Sequence, residues 1–550
     1  MTIAANEDPA ERSSQYRPAQ EAVVRRAGAP VLAERARFPA RRGGGAGRLS
    51  HQGLPRRGLV ALLAFLALPS GGCQGPELAS GSSELHGFVD PDCPSDPGVV
   101  CEEVPAAYAL RDRTTGSYGN YDLANRPRDG QDIRFIVIHT TEVSYEGTVR
   151  IFTDPSRSAS AHYLVRSRDG LVTKFISPKH VAWHAGNWFY NMHSVGIEHE
   201  AFSAEGHAWF TDALYASSAA LVRHLARRYH VPLDREHIFG HDEVPGLTQA
   251  RQPQMHWDPG PYWDWDRFMR MVRAGDGETP IHDWDRPDRG PDAAVIALHP
   301  DYANNQPPLS HCFDVPPGSP PDCRAVPPQP SNFVYLRESP SDTAALISNP
   351  YFPSTPGDRM FNWGNKLGTG RYFYRAERKG DWDAIYFSGV KAWFKNPGRT
   401  ATGVPARAEI VITPKSAGMP APTSIPVYGG GYPADAAYPS PTVPQKLEKI
   451  YDMPVGQRYV AKGPVTADYY WAKVYADTLA ASSHRLVYDD TLYYEISWNH
   501  RLALVRASDV EVVRASAPLT FESAPAATPP SRALGLSEEL SPSLELRDLR

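Results

Sequence analysis

The sequence predicts an α/β domain with a central mixed β-sheet flanked by helices, followed by small β-barrel-like modules. Three observations carry that expectation. The stretch "IRFIVIHTT" (Ile133 to Thr141) is a continuous apolar run, as expected of a strand buried on both faces. Further on, "FTDALYASSAALVRHLARRYHVPL" places Leu214, Leu221, Leu225 and Tyr229 at helical spacing behind Thr211, a residue type that caps helix N-termini. After about residue 275 the apolar pattern breaks into short, strand-length pieces between Pro- and Gly-rich turns.

At 550 residues the chain is too long for one ordinary domain, and its 53 prolines cluster between segments, so several linked units are expected. A hydrophobic content of 41% and a charged content of 22% suit a chain that buries a sizeable core. The formal net charge of -5 argues against a nucleic-acid binder.

The elements follow in order. Residues 1–73 read as a disordered extension and a targeting segment rather than as fold. In "LPRRGLVALLAFLALPSGGCQGPE", Arg56 and Arg57 precede an apolar core from Leu59 to Leu68. That core is too short to cross a bilayer as a helix and has the pattern of a secretory signal. Ser70, Gly71 and Gly72 before Cys73 resemble a bacterial lipobox, although Leu is usual where Ser70 stands. The expectation is an exported chain held on the membrane by a lipid at Cys73, with plain secretion as the alternative. Residues 74–117 read as a linker. Of the 5 cysteines, those other than Cys73 fall as two short-range pairs, Cys93 with Cys101 and Cys312 with Cys323. An even remainder in an exported chain favours disulfides.

The α/β domain is expected over residues 118–275, with His139 at the carboxyl end of its first strand. In "AHYLVRSRDGLVTKFI", Arg168-Asp169-Gly170 is a hairpin turn signal. The next strand, "SVGIEHEAF" (Ser194 to Phe202), alternates so that Glu198 and Glu200 share one face and His199 takes the other. The helix behind Thr211 reads as scaffold, with His224 and His230 solvated. Then "FGHDEVPGLTQARQPQMHWDPGPYWDW" (Phe239 to Trp265) gathers His241, His256 and several carboxylates around a Pro/Gly-rich turn. Alone, this loop reads equally as half of a metal site or as turn residues serving the backbone.

Six blocks in this order, "FIVIHTT", "AHYLVRSRDG", "AWHAG", "SVGIEHE", "FGHDEVP" and "HWDPGPYWDW", resemble the zinc-dependent N-acetylmuramoyl-L-alanine amidases of the type-2 amidase family. That family also includes phage amidase-type lysozymes and animal peptidoglycan recognition proteins. The resemblance implies a Zn2+ ion held by the histidine ending the first strand, the histidine of the Gly-His pair and an Asp or Cys of the late Pro-rich motif. These are His139, His241 and Asp258. A catalytic zinc takes three such ligands and leaves a fourth position for water. The resemblance also chooses Glu198 as general base, where periodicity alone leaves Glu200 equally placed. Two residues before the third ligand, many relatives carry a lysine that stabilises the oxyanion; here it is His256. His256 is therefore expected to donate a hydrogen bond or a proton rather than to bind metal. His162 and His184 match positions that line or buttress the substrate groove, with hydrogen-bonded core histidines as the alternative. Trp183, Trp188, Tyr190 and Asn191 fall in a loop suited to packing on sugar faces and bonding peptide amides.

The implied activity is zinc-dependent hydrolysis of the amide between N-acetylmuramic acid and L-alanine, in peptidoglycan or its muropeptides. One rival is peptidoglycan binding without cleavage, against which stand competent residues at all three ligand positions. Another is a zinc peptidase acting within the stem peptide, against which stands the lack of a His-Glu-x-x-His helix. Residues 276–329 read as a Pro-rich connector. Residues 330–398 and 420–515 look like degenerate copies of one unit: "NFVYLRESPSDTAALIS" with "RYFYRAERKGDWDAIYFSGVKAWFKN" parallels "SIPVYGGGYPADAAY" with "QRYVAKGPVTADYYWAKVY". Both resemble bacterial SH3-like domains, small barrels that often bind cell walls; spacers or docking surfaces are the alternative. Residues 516–550 are Ser/Pro/Leu-rich and expected to be disordered.

Overall fold

The computed structural model describes residues 91–513, except 109, 113–116, 119, 128–131, 275–293, 314–321, 350–351, 353–356, 399–401, 407, 409, 417–422, 441, 443 and 473–483. The expected signal, the lipid-bearing Cys73 and the C-terminal tail lie outside the described residues. Among the described residues no helix is long and apolar enough to cross a membrane.

The α/β domain is built on a six-stranded mixed sheet. Its strands are β1 (Cys101–Glu103), β2 (Phe135–Ile138), β3 (Tyr163–Val165), β4 (Val172–Lys174), β5 (Ser194–His199) and β6 (Ile238–Gly240), in the spatial order β1-β4-β3-β5-β2-β6. Only the β3/β4 hairpin is antiparallel. Its turn closes at Gly170, whose φ of 71° is costly for residues with a Cβ. The apolar run of β2 is buried along its whole length between β5 and β6, which is why it reads as continuous rather than alternating.

Among the described residues, the helices around the sheet include α1 (Tyr145–Phe152), α2 (Trp188–His193), α3 (Asp212–Tyr229) and α4 (Trp265–Ala274), with a short helical turn at Gly206–Trp209 before α3. The Thr211 side chain caps α3 by accepting from the Leu214 amide, an interaction worth roughly 1 kcal/mol. Leu214, Leu221 and Leu225 pack into the core beneath it. His224 is half-buried and bonds the Pro91 carbonyl at 3.0 Å, while His230 is exposed and ends α3 in the left-handed conformation.

Both cysteine pairs form disulfides, Cys93–Cys101 and Cys312–Cys323. The C-terminal half contains a five-stranded and an eight-stranded sheet. Val295–Leu298, within the stretch that reads as connector, pairs between Tyr372–Lys379 and Gly403–Pro405 and is thus a strand of the five-stranded sheet. Each sheet has apolar packing of its own, around Phe373, Ile385 and Phe394 in one and around Ile412, Val427 and Trp498 in the other. A further cluster joins Tyr428, Tyr469, Tyr470 and Tyr493 of the larger sheet to Phe135, Trp188, Phe189 and Tyr190 of the α/β domain. The approach is close enough that a Cβ on Gly429 would lie 2.1 Å from the Gly246 carbonyl oxygen.

Candidate active site

Strand register assembles the site. Ile138 of β2 lies opposite Gly240 of β6 on one side and Ile197 of β5 on the other. The next residues in each chain are His139, His241 and Glu198, so all three gather at the carboxyl edge of the sheet, where α/β folds present their ligand sites. Asp258 enters from the Pro-rich loop. His139, His241 and Asp258 are buried, and one donor atom from each lies within 4.8 Å of the others. His139 Nδ1 and His241 Nδ1 are each 3.3 Å from an oxygen of Asp258.

A hydrogen-bond relay sets the tautomer of His139. The Ser194 hydroxyl donates to the Tyr190 carbonyl at 2.5 Å, so it accepts from His184 Nε2 at 3.1 Å. His184 Nδ1 is then bare and accepts from His139 Nε2 at 2.9 Å. This leaves the lone pair of His139 Nδ1 facing Asp258, and that buried nitrogen has no hydrogen-bond partner. Burial lowers the pKa of both His139 and His241, keeping them neutral. Burial alone would raise the Asp258 pKa, but a proton entering the cluster is held by an imidazole, His241 first, and this keeps the Asp258 pKa well below the usual carboxylate range. Two neutral imidazoles and an ionised carboxylate around buried lone pairs are a donor set that fits a metal ion.

The structure separates the two glutamates that periodicity leaves equal. Glu200 accepts from the Tyr145 amide at 2.9 Å and the Ser167 amide at 3.0 Å, so its oxygens serve the backbone. Glu198 is buried with Oε2 unpartnered. Burial, with added repulsion from Asp258 and Glu142, pushes its pKa well above the usual range. His256 stacks on His241 with ring centroids 4.6 Å apart, and its Nδ1 lies 3.4 Å from Asp258. Its side chain is 28% exposed, against none for His139 and His241, so it stands on the open side of the cluster.

His162, His184, Trp183 and Asn191 are all buried, and their polar atoms bond to protein. His162 Nδ1 accepts from the Gly196 amide at 3.0 Å, Trp183 Nε1 donates to Asp122 at 2.8 Å, and Asn191 Oδ1 accepts from the amides of His184 and Ala185. These four buttress the site in this structure rather than line an open groove. Trp188 and Tyr190 likewise lie in the core instead of offering faces to sugars. Gly196 is required by the same packing, since a Cβ there would meet the His184 ring at 2.5 Å.

Two buried groups escape sequence reasoning. Glu243, which reads as a turn residue, accepts from Arg235 at 2.8 Å, Arg371 at 2.5 Å and the Gly240 amide at 2.9 Å. Burial would raise its pKa, but the two guanidiniums bring it down to about 2. Arg126 is buried among the carbonyls of Pro178, His180, Met192 and Ser194 and lies 3.3 Å from His162. Neither residue has a local pattern that marks it, because Arg371 lies 128 residues from Glu243 and the groups around Arg126 lie 36 or more residues from it.

Residues 129–261 match the family described as N-acetylmuramoyl-L-alanine amidase. The chain is 29% identical over 177 residues to N-acetylmuramoyl-L-alanine amidase A of Achromobacter lyticus, a match spanning 29% of this chain and 92% of that relative. It is 35% identical over 119 residues to the 1,6-anhydro-N-acetylmuramyl-L-alanine amidase AmpD of Enterobacter cloacae, spanning 20% of this chain and 57% of that protein. Thus it covers nearly all of the first relative and little more than half of the second. Among solved structures, the PlyG catalytic domain aligns at 16% identity over 33% of this chain and 98% of its own, with a TM-score of 0.23. Staphylococcus aureus hydrolase AmiA in complex with its ligand aligns at 15% identity over 31% of this chain and 80% of its own, with a TM-score of 0.24. Residues 129–261 thus match the type-2 N-acetylmuramoyl-L-alanine amidase family, and it is this part of the chain that its amidase relatives resemble.

Proposed function

We propose that the chain is a zinc-dependent hydrolase that cleaves the amide between the lactyl group of N-acetylmuramic acid and the L-alanine of the stem peptide. The supporting observation is the buried His139, His241 and Asp258 cluster beside Glu198, inside a domain whose sequence matches amidases. A zinc ion held by those three residues would lower the pKa of bound water and polarise the scissile carbonyl.

Glu198 takes the proton of the attacking water at Oε2, the atom the fold leaves without a partner, and passes it to the departing alanine nitrogen. Burial, the chief cause of its raised pKa, favours the protonated form that hands the proton on. His256, on the open side of the cluster, donates to the oxyanion where many relatives use lysine. His184 keeps His139 in the tautomer whose Nδ1 faces inward.

The apolar segment before Cys73 and the SH3-like resemblance of residues 330–398 and 420–515 extend the reading. The enzyme works in the cell envelope, lipid-held through Cys73, with C-terminal sheets that contact wall material. Incubation with a soluble muropeptide tests the activity: new L-alanine amino termini are expected, and new termini elsewhere in the peptide would point to the peptidase reading.

A further inference from the structure

We infer that Arg501, in the C-terminal β region, is a positioning residue for the loop that carries His256 and Asp258. The C-terminal half then shapes the site itself and not only its placement on a substrate. The inference rests on the amidase reading above.

Arg501 lies in "SWNHRLAL", the turn between the strands His484–Ser497 and Leu502–Arg506. A turn of this kind ordinarily faces water, yet Arg501 is only 3% exposed, and Asn499 and His500 are buried beside it. The reason is insertion against the Pro-rich loop of the amidase domain. One terminal nitrogen of Arg501 donates to the Gln252 carbonyl and the other to the Met255 carbonyl, the latter at 3.4 Å. Met255 is the residue immediately before His256. The guanidinium lies over the Phe352 ring at 4.4 Å, and Asn499 Oδ1 accepts from the Arg501 amide at 2.7 Å. Burial lowers the Arg501 pKa to about 10, so the group is still cationic at neutral pH.

Other C-terminal groups hold the same two ligand-bearing segments. Trp257, between His256 and Asp258, stacks on Phe361 with centroids 3.4 Å apart, and its carbonyl accepts from Trp363 Nε1 at 3.4 Å. Trp363 stacks on His500 at 3.7 Å, and His500 Nε2 lies 3.2 Å from Asp242, next to His241. Arg371 reaches Glu243 from the five-stranded sheet side. The Pro-rich loop has little regular structure of its own, so its geometry must come from what packs on it. Arginine suits the task because its planar fork reaches two carbonyls at once, whereas a lysine presents one nitrogen.

The test uses the full chain and two variants, Arg501→Gln and Arg501→Lys. Zinc affinity is read by competition with a chelator, and kcat and KM on a soluble muropeptide. Arg501→Gln is expected to lose roughly 10- to 100-fold, divided between zinc affinity and kcat, as is usual for groups that orient metal ligands. KM is expected to stay within about twofold, and Arg501→Lys to fall between the variant and the parent. Zinc affinity and kcat within about twofold of the parent in both variants would overturn the inference, as would a rise confined to KM. Should Arg501→Gln fail to fold, Arg501→Lys decides by the same readouts. A parent that binds zinc but releases no product would sink the amidase reading while zinc affinity still judges Arg501.

Discussion

Replacing Glu198 by Gln keeps the shape of the side chain and removes its ability to take a proton. The unpartnered Oε2 makes this a clean perturbation, since the new amide disturbs no bond that Oε2 makes. General-base catalysis contributes about 10²- to 10⁴-fold, so the barrier should rise by roughly 3 to 5 kcal/mol, at 1.36 kcal/mol per tenfold. Stability should move the other way. Glu198 titrates above its ordinary value of 4.5 in the fold, chiefly because of burial. Its contribution is therefore present below the unfolded pKa and lost as pH rises through the folded value. At neutral pH the zinc-free parent must either protonate Glu198 or bury its charge on folding, a cost that the Gln variant does not bear. Product release from a soluble muropeptide, with zinc content and melting temperature measured on the same samples, makes the test. Activity above about a tenth of the parent would refute the general-base role, and so would a loss explained by missing zinc.

Other expectations follow from the same geometry. His256→Ala should lower turnover while bound zinc stays, and loss of zinc on that change would show His256 to be a ligand. His184→Phe should weaken zinc binding about 10- to 100-fold, because His139 Nε2 loses its acceptor; unchanged affinity by chelator competition would contradict the relay. Asp468 joins the larger sheet to the amidase domain through Arg134 at 2.7 Å and His193 at 2.7 Å. Against the upward push of burial, His193 and Arg134 hold its pKa below the ordinary 3.8, so its stabilisation is present above that value and lost as pH falls below it. Asp468→Asn should accordingly cost about 3 kcal/mol at neutral pH, with the gap to the parent narrowing in acid; a pH-independent gap in chemical denaturation would contradict this.

What was legible in the sequence is what local patterns encode. The buried run of β2, the Arg168-Asp169-Gly170 turn, the Thr211 cap and the short cysteine spacings each state their structure within a few residues. His139, His241 and Asp258 come from separate blocks, and it was their order that joined them; the strand register then brings them together. Illegible were choices made by distant partners. Glu200 is distinguished from Glu198 only by the amides of Tyr145 and Ser167. Glu243 joins its near neighbours Arg235 and Gly240 to Arg371, which lies 128 residues away. Trp188 and Tyr190 look suited to sugars until the tyrosines of the C-terminal sheet cover them. The strand Val295–Leu298 is hidden for a related reason, as its partners lie beyond residue 371.

The most direct measurement is digestion of purified sacculi by the full chain, with and without a chelator, followed by identification of both new ends. Free lactyl carboxyls on muramic acid paired with L-alanine amino termini are expected, abolished by the chelator and restored by zinc. Cleavage within the stem peptide, or the same products from the metal-stripped protein, would contradict the amidase reading.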